Sequence, residues 1–258
     1  MNIGGVRVGA GHPCVLVAEI GNAHNGNPEH AVQLARAAKR AGADLVKFQC
    51  FTPDELVALR GNGPAPEPWG SQGWMMRALY EKARTPFAWF PTLIAECRAA
   101  GVPWFSSVFG AESLALLESL DCPAYKIASL DHRSPELRAL VNGAHKPVIL
   151  SRPHDGNAYV CSEDERHLYC PPGYPQRRLN LSPRLFDSDD ESFGFLGFSY
   201  HGTHPLAGVV AASLGAKMIE VHIQLDETPS ALEANVSLTV SQFANMAHMI
   251  RRAEAMFA

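Results

Sequence analysis

The sequence predicts an α/β protein of the (β/α)8 TIM-barrel type, and three observations carry that prediction. Short apolar runs rich in β-branched and aromatic residues alternate with helical stretches, eight runs in all. The chain has 258 residues, 47% of them hydrophobic, and a single barrel of this kind occupies about 250. No G-x-G-x-x-G follows the first run, so the doubly wound sheet, the other fold this alternation allows, lacks its phosphate-binding turn.

Strand one is 15–19, Val-Leu-Val-Ala-Glu, apolar enough to be buried on both faces. A turn at 21–26 leads to Pro28, near the first position of a helix that runs through 31–40 and stops at Ala41-Gly42. Strand two, 45–49, carries Lys47 where a fully buried strand has no place for a charge. A long connection, rich in Gly and Pro over 61–70 and carrying Trp69 and Trp74, becomes helical again at 75–82. Helix 91–100 ends at Gly101, strand three is 103–106, and helix 111–120 leads to strand four, 124–128, with a second internal lysine, Lys126. Ser134-Pro135-Glu136 opens a helix reaching Val141, and strand five is 147–151.

The alternation then falters. Between Ser151 and strand six, 166–170, about fifteen residues with Pro153 and Asp155-Gly156 show no helical period, so the βα unit after strand five is expected to lack its helix. The stretch 171–192, rich in Pro and acidic residues, is irregular too. Strand seven is 195–199, followed by helix 205–214, strand eight at 218–222 and a closing amphipathic helix at 239–257. A single domain, 1–258, accounts for all of it.

A net charge of -4, a pI near 6.2 and the lack of any block of like charges give no basis for nucleic-acid or anionic-membrane binding. No apolar run approaches the roughly 18 residues of a membrane span, and the start lacks the regions of a signal peptide, so a soluble cytoplasmic protein is expected. The six cysteines, Cys14, Cys50, Cys97, Cys122, Cys161 and Cys170, form no C-x-x-C pair and read as reduced, buried thiols. Cys50 and Cys170 each follow a strand and could line a site, although a small core residue is the default reading.

In a barrel of this type function belongs at the C-terminal ends of the strands. The polar residues that end or follow the apolar runs are Glu19, Lys47, Gln49, Ser106, Ser107, Lys126, Ser129, Ser151, Ser199, His201 and His222. Lysines and hydroxyls suit a phosphate, and neutral imidazoles suit a transition metal. Together they point to a phosphorylated anion and a divalent metal in one pocket. A lone strand lysine more often packs its stem at an edge, and a lone histidine is more often a structural one. The recurrence of Lys47 at Lys126, and the pairing of His201 with His222 on adjacent strands, favour function. Glu19 ends a buried strand and needs a cation or a structural partner. The other histidines have no such support.

At these residues the chain resembles the sialic acid synthase family. The matching words are Ala18-Glu-Ile-Gly with His24 and Gly26, Gly42-Ala-Asp-Leu-Val-Lys-Phe-Gln49, and Tyr125-Lys-Ile-Ala-Ser129. They continue with Lys146-Pro-Val-Ile-Leu-Ser151, Gly197-Phe-Ser-Tyr-His201 and Leu214-Gly-Ala-Lys-Met-Ile-Glu-Val-His222, with Asp226 and Glu233 beyond. The resemblance implies a barrel that condenses phosphoenolpyruvate with an N-acetylated hexosamine or related aldehyde, giving a nonulosonic acid-type product and phosphate. It implies a catalytic set of Glu19, Lys47, Lys126 and Asp131, and a substrate set of Ser107, Ser129, Ser151, Tyr174, Ser199 and Glu233. His201 and His222 would hold manganese or magnesium. The chain departs from the family pattern at Ala23, Gly110 and Tyr200, and at Pro171-Pro172, where the family has a side-chain amide; the resemblance covers the catalytic barrel, and the family's C-terminal antifreeze-like domain is expected to be lacking. Two alternatives follow, a barrel that binds a phosphorylated metabolite or a protein partner without turnover, and a metal-dependent aldolase or lyase. A flank left bare by the missing helix would make a homodimer plausible.

Overall fold

The fold was read from a computed structural model that describes residues 1–154, 164–187 and 194–256. Eight parallel strands close on themselves: β1 (Val15–Glu19), β2 (Leu45–Cys50), β3 (Trp104–Val108), β4 (Tyr125–Ile127), β5 (Val148–Arg152), β6 (Glu165–Tyr169), β7 (Gly197–Tyr200) and β8 (Met218–Gln224). Each pairs with the next, and β8 pairs with both β7 and β1, which completes the (β/α)8 barrel. The helices are α1 (Pro28–Arg40), α2 (Pro53–Arg60), α3 (Met76–Ala83), α4 (Phe90–Ala100), α5 (Ala111–Ser119), α6 (Pro135–Asn142), α7 (Leu206–Ser213) and α8 (Val240–Glu254). A short hairpin, Asn2–Ile3 with Val6–Arg7, lies at the N-terminal end of the barrel, where Gly4 packs against Pro103 with φ at 55° and Ile3 is fully buried.

Local sequence explains most boundaries. Asn27 caps α1 by accepting the Glu29 N–H at 2.9 Å, with Pro28 in the first turn and Lys39 and Arg40 in the last. Helix α2 is an addition to the expected elements. Thr52-Pro-Asp-Glu55 is a capping box in which the Thr52 N–H donates to Glu55 Oε2 (2.9 Å) and the Glu55 N–H to Thr52 Oγ1 (3.2 Å). The same glutamate reaches α5. Its Oε1 accepts the Ser113 N–H at 2.9 Å, and a Cβ at Gly110 would lie 2.5 Å from that oxygen. The departure at Gly110 is thus matched by a cap supplied from another helix.

The flank at β5 and β6 differs from the expectation of a bare surface. The stretch 155–163, with Cys161, the second irregular stretch at 188–193, and Phe257 lie outside the described residues; Pro153 and His154, before the gap, are not helical. Arg152, Glu165, His167 and Tyr169 point outward by strand alternation, yet all are buried. Glu165 Oε1 accepts from Arg138 (2.9 Å) and His167 Nε2 (2.7 Å), Arg152 Nε donates to His167 Nδ1 (2.9 Å), and the Arg152 guanidinium lies 4.3 Å from the Phe195 ring centre. The outward face of β5 and β6 thus carries a paired and buried polar network. The bare strand on which the homodimer expectation rested is therefore not present.

Candidate active site

Strand register assembles the site. Across parallel pairs His222 lies level with Glu19, Glu19 with Lys47, Ser107 with Lys126, and Ser199 with Glu220. Residues level with one another share a face, so cationic, anionic and hydroxyl groups from most strands meet at one end of the barrel. A cavity of about 60 Å³ there is bordered by Lys47, Ser107, Lys126, Ser129, Ser151, Ser199, His201 and His222.

Charge at the centre is tightly paired. Lys126 Nζ donates to Glu220 Oε1 at 2.7 Å and Oε2 at 3.0 Å, Ser199 Oγ donates to the same Oε1 at 3.1 Å, and Lys47 Nζ lies 3.6 Å from it. Lys47 also donates to Ser107 Oγ at 3.1 Å and forms an ion pair with Glu19, whose other oxygen accepts the Gly21 N–H at 2.7 Å. Burial works against the charge on Lys47, but Glu19 and Glu220 outweigh it and raise its pKa. Burial lowers that of Lys126, and the neighbouring Lys47 adds to the effect that Glu220 opposes. For Glu220, burial is overcome by the two lysines, which hold its carboxyl at about 2. Ser151 Oγ borders the cavity and is buried with no hydrogen-bond partner, a free hydroxyl facing this space.

The imidazoles stand at the edge of this cluster. The rings of His201 and His222 are 5.1 Å apart, and Tyr174 lies 5.2 Å from His201 and 6.5 Å from His222. Burial, with His222 next to it, lowers His201 to about 3, so it is neutral at pH 7. His222 is raised despite its burial, because Glu233 Oε2 lies 3.2 Å from Nδ1. Glu233 is held at about 2 against its burial by His222 and by the Tyr174 hydroxyl, which donates to Oε1 at 2.6 Å. Gly21 permits this arrangement: its φ is 51°, and a Cβ there would lie 2.5 Å from Glu233 Oε2 and 3.0 Å from His222 Nδ1.

Among the described residues no three His, Cys, Asp or Glu side chains form a ready metal cluster. The donor chemistry nevertheless fits a divalent cation. His222 Nδ1 is buried without a well-directed hydrogen bond, and a carboxylate and a second, neutral imidazole stand next to it.

The departures from the family pattern have physical counterparts. Gln176 brings a side-chain amide to the Pro171-Pro172 turn: Nε2 donates to Pro171 O at 2.7 Å and lies 3.6 Å from Cys170 Sγ. Its Oε1 accepts the His201 N–H at 3.0 Å. Tyr200 alternates with Ser199, so it faces away from the cavity and stacks on Phe198 in the outer layer. Cys170 stands next to the imidazoles, with Sγ 3.7 Å from His201 Nδ1, whereas Cys50 contacts the Ser113 carbonyl.

Two assignments shift in place. Glu19 lies behind Lys47 and does not border the cavity. Asp131 is set apart from the imidazoles, in a fork with Arg60 whose Nε and Nη2 donate at 2.8 and 2.6 Å, inside a neighbouring groove. Sequence reasoning missed Glu220, Gln176 and Arg60. Glu220 was readable, since it sits two residues before His222 on the same strand face; Gln176 and Arg60 lie beyond turns that strand and helix periods do not reach.

The fold is that of a (β/α)8 barrel with charged and hydroxyl side chains gathered at one mouth, and comparison with known proteins names the family. The profile of the NeuB family matches residues 34–258, and the chain belongs to that family. It is 31% identical over 256 residues to a pseudaminic acid synthase of Campylobacter jejuni, covering 93% of this chain and 74% of the relative. It is 26% identical over 266 residues to the human N-acetylneuraminate-9-phosphate synthase, covering 96% and 72%. Among solved structures, the Bacillus subtilis spore coat polysaccharide biosynthesis protein SpsE superposes with a TM-score of 0.78 at 28% identity, over 100% of this chain and 72% of that one. A sialic acid synthetase from Leptospira borgpetersenii superposes with 0.82 at 20% identity, over 100% and 90%, a likeness of fold.

Proposed function

We propose that the chain condenses phosphoenolpyruvate with an N-acylated hexosamine or related aldehyde, yielding a nonulosonic acid-type product and phosphate. The observation that carries this reading is the pair of buried lysines sharing Glu220 beneath the Ser129, Ser151 and Ser199 hydroxyls. Such a cluster suits the phosphate and carboxylate of one small dianion, and the synthase names of its relatives agree with it.

In this reading Lys47 and Lys126 take the anionic groups, and Glu19 holds Lys47 in place. Carbon 3 of the enol attacks the aldehyde carbon, and the carbonyl oxygen takes up a proton. Water adds at carbon 2 with loss of a proton, and phosphate leaves with the bridging oxygen as the carbon 2 hydroxyl gives up its proton to become the ketone, so one C–C and one C–O bond form and one C–O bond breaks. The Tyr174 hydroxyl, which donates to Glu233 Oε1, is the donor nearest the acceptor end. His201, His222 and Glu233 would hold a divalent cation, of which manganese suits nitrogen donors better than magnesium, and when bound it would stabilise charge on the aldehyde oxygen. Asp131 acts on the acceptor side through its fork with Arg60.

The amide of Gln176 weakens the ground for a barrel that only binds, since that reading leaned on the proline pair. The test is phosphate release with both substrates and manganese. Silence across several N-acylated hexosamines and simple aldehydes would reject the assignment. His222→Ala should abolish manganese binding, followed by paramagnetic resonance, and retained affinity would remove His222 from the metal site.

A further inference from the structure

Residues 225–233, which bring Glu233 back to His222, belong to no helix or strand, yet Ser230 and Glu233 are only 4% and 8% exposed. Buried polar groups must be paired, so such a stretch takes its order from its neighbours. Gln224, at the end of β8, accepts the Ser230 N–H at 2.9 Å, and beyond the turn Ser237 Oγ donates to Glu233 O at 2.8 Å. The remaining ties come from the turn after β1. Asn25 grips the outer part with both ends of its amide, donating Nδ2 to Pro229 O at 2.9 Å and accepting the Ala231 N–H on Oδ1 at 2.7 Å.

Asn22 holds the inner part. Ser230 Oγ accepts the Glu233 N–H at 3.0 Å and the Leu232 N–H at 3.4 Å, so its one proton is left to donate to Asn22 Oδ1 at 3.0 Å. The Asn22 N–H in turn donates to Glu233 Oε2 at 3.3 Å, the oxygen that lies 3.2 Å from His222 Nδ1. Glu233 is thus held twice from one buried residue, its main chain through Ser230 and its carboxylate directly. Strand register makes this meeting possible, because Glu19 and His222 are level on adjacent strands and Asn22 follows shortly after Glu19.

We propose that Asn22 and Ser230 are positioning residues that aim the Glu233 carboxylate at His222, with Asn25 fixing the turn from outside. The inference rests on the proposed function only for what Glu233 and His222 then do; the geometry stands apart from the reaction. Removing the Ser230 hydroxyl leaves the Glu233 N–H, the Leu232 N–H and Asn22 Oδ1 buried without partners, which is costly. The turn must shift to satisfy them, and the carboxylate moves with it.

The experiment follows the His222 Nδ1 resonance in metal-free protein labelled with nitrogen-15 histidine, at one fixed pH, assigned by its loss in His222→Ala. In Ser230→Ala and in Asn22→Ala it should move toward the position it takes in Glu233→Ala. Manganese affinity, read by paramagnetic resonance, should fall about tenfold in each single variant, and little further in the double variant, since both act through one hydrogen bond. Asn25 is half-buried, so Asn25→Ala, which should move the same resonance in the same direction, keeps the test open if Ser230→Ala disturbs folding. A resonance unmoved in any of these variants that folds, or losses of affinity that add in the double variant, would overturn the proposal. A moved resonance with unchanged manganese affinity would support the positioning and remove Glu233 from the metal site. Phosphate release is scored separately: its absence rejects the condensing reading and leaves the positioning standing.

Discussion

Lys126 and Glu220 face each other across the mouth of the barrel, from β4 and β8, joined at 2.7 and 3.0 Å. With Lys47 3.6 Å from the same carboxylate, one buried acid is counter-ion to two ammonium groups. On the proposed function, an anion arriving at the lysines would compete with Glu220 for them, while the same pair supports the fold.

Glu220→Gln should therefore destabilise the protein by about 3–5 kcal/mol in urea unfolding, the cost of leaving buried charge without its partner. Phosphoenolpyruvate should then raise the melting temperature of the variant more than that of the wild type, because it replaces the missing negative charge. Equal ligand-induced shifts in the two proteins would contradict this role.

Acid sensitivity should begin well above the carboxylate range. Burial lowers His24 from 6.5 to about 4, and its ring is held by the Gly26 N–H at 3.0 Å and by Thr85 at 3.2 Å. The unfolded chain binds this proton below pH 6.5 and the folded chain does not, so stability is lost as pH falls from about 6.5 to about 4. His201 acts in the same direction down to about 3. Glu220 and Glu233, held at about 2 against 4.5, add their loss between those values. Each group contributes about 1.4 kcal/mol per pH unit inside its window. Urea midpoints from pH 7 to 4 should show a shallower slope in His24→Gln, by one proton; an unchanged slope would exclude His24 as a source.

Gly21→Ala should cost about 1–3 kcal/mol for its positive φ alone, and it should also displace Glu233 from His222. The pH profile of turnover is the sensitive readout, since His222 would lose the partner that raises it. A profile identical to wild type would show that Glu233 does not set the state of His222.

Glu55→Ala should cost about 0.5–2 kcal/mol by uncapping α5, and more where α2 loosens too. Restoring a local cap with Gly110→Asp should recover part of that loss in the Glu55→Ala background, where the space at Gly110 has been vacated. In the wild type the same substitution should destabilise, because Glu55 already fills that space. Destabilisation of equal size in both backgrounds would mean the two caps are not exchangeable.

The barrel was legible because its strands are unbroken apolar runs and its helices end at glycines such as Gly42 and Gly101, both at positive φ. The mouth was legible where polar residues interrupt that pattern, as Lys47, Lys126 and the two histidines do. Helix α2 carried a readable signal, Thr52 with Glu55 three residues on, hidden inside a connection that looked irregular. Gln176 and the Arg60–Asp131 fork were not legible, because contacts across turns of unknown path depend on tertiary geometry and not on spacing. The flank at β5 and β6 was not legible either, because Arg152, Glu165 and His167 pair with one another and are buried only once the two strands lie side by side.

The central claim is that the lysine pair holds phosphoenolpyruvate for attack on an aldehyde, with phosphate leaving through C–O cleavage. Phosphoenolpyruvate labelled with oxygen-18 at the bridging position, supplied with manganese and an N-acylated hexosamine, tests it in one measurement. The label should appear in the released phosphate, and release should vanish in Lys126→Gln. Label retained in the organic product, or phosphate released at the same rate without an acceptor, would contradict the account.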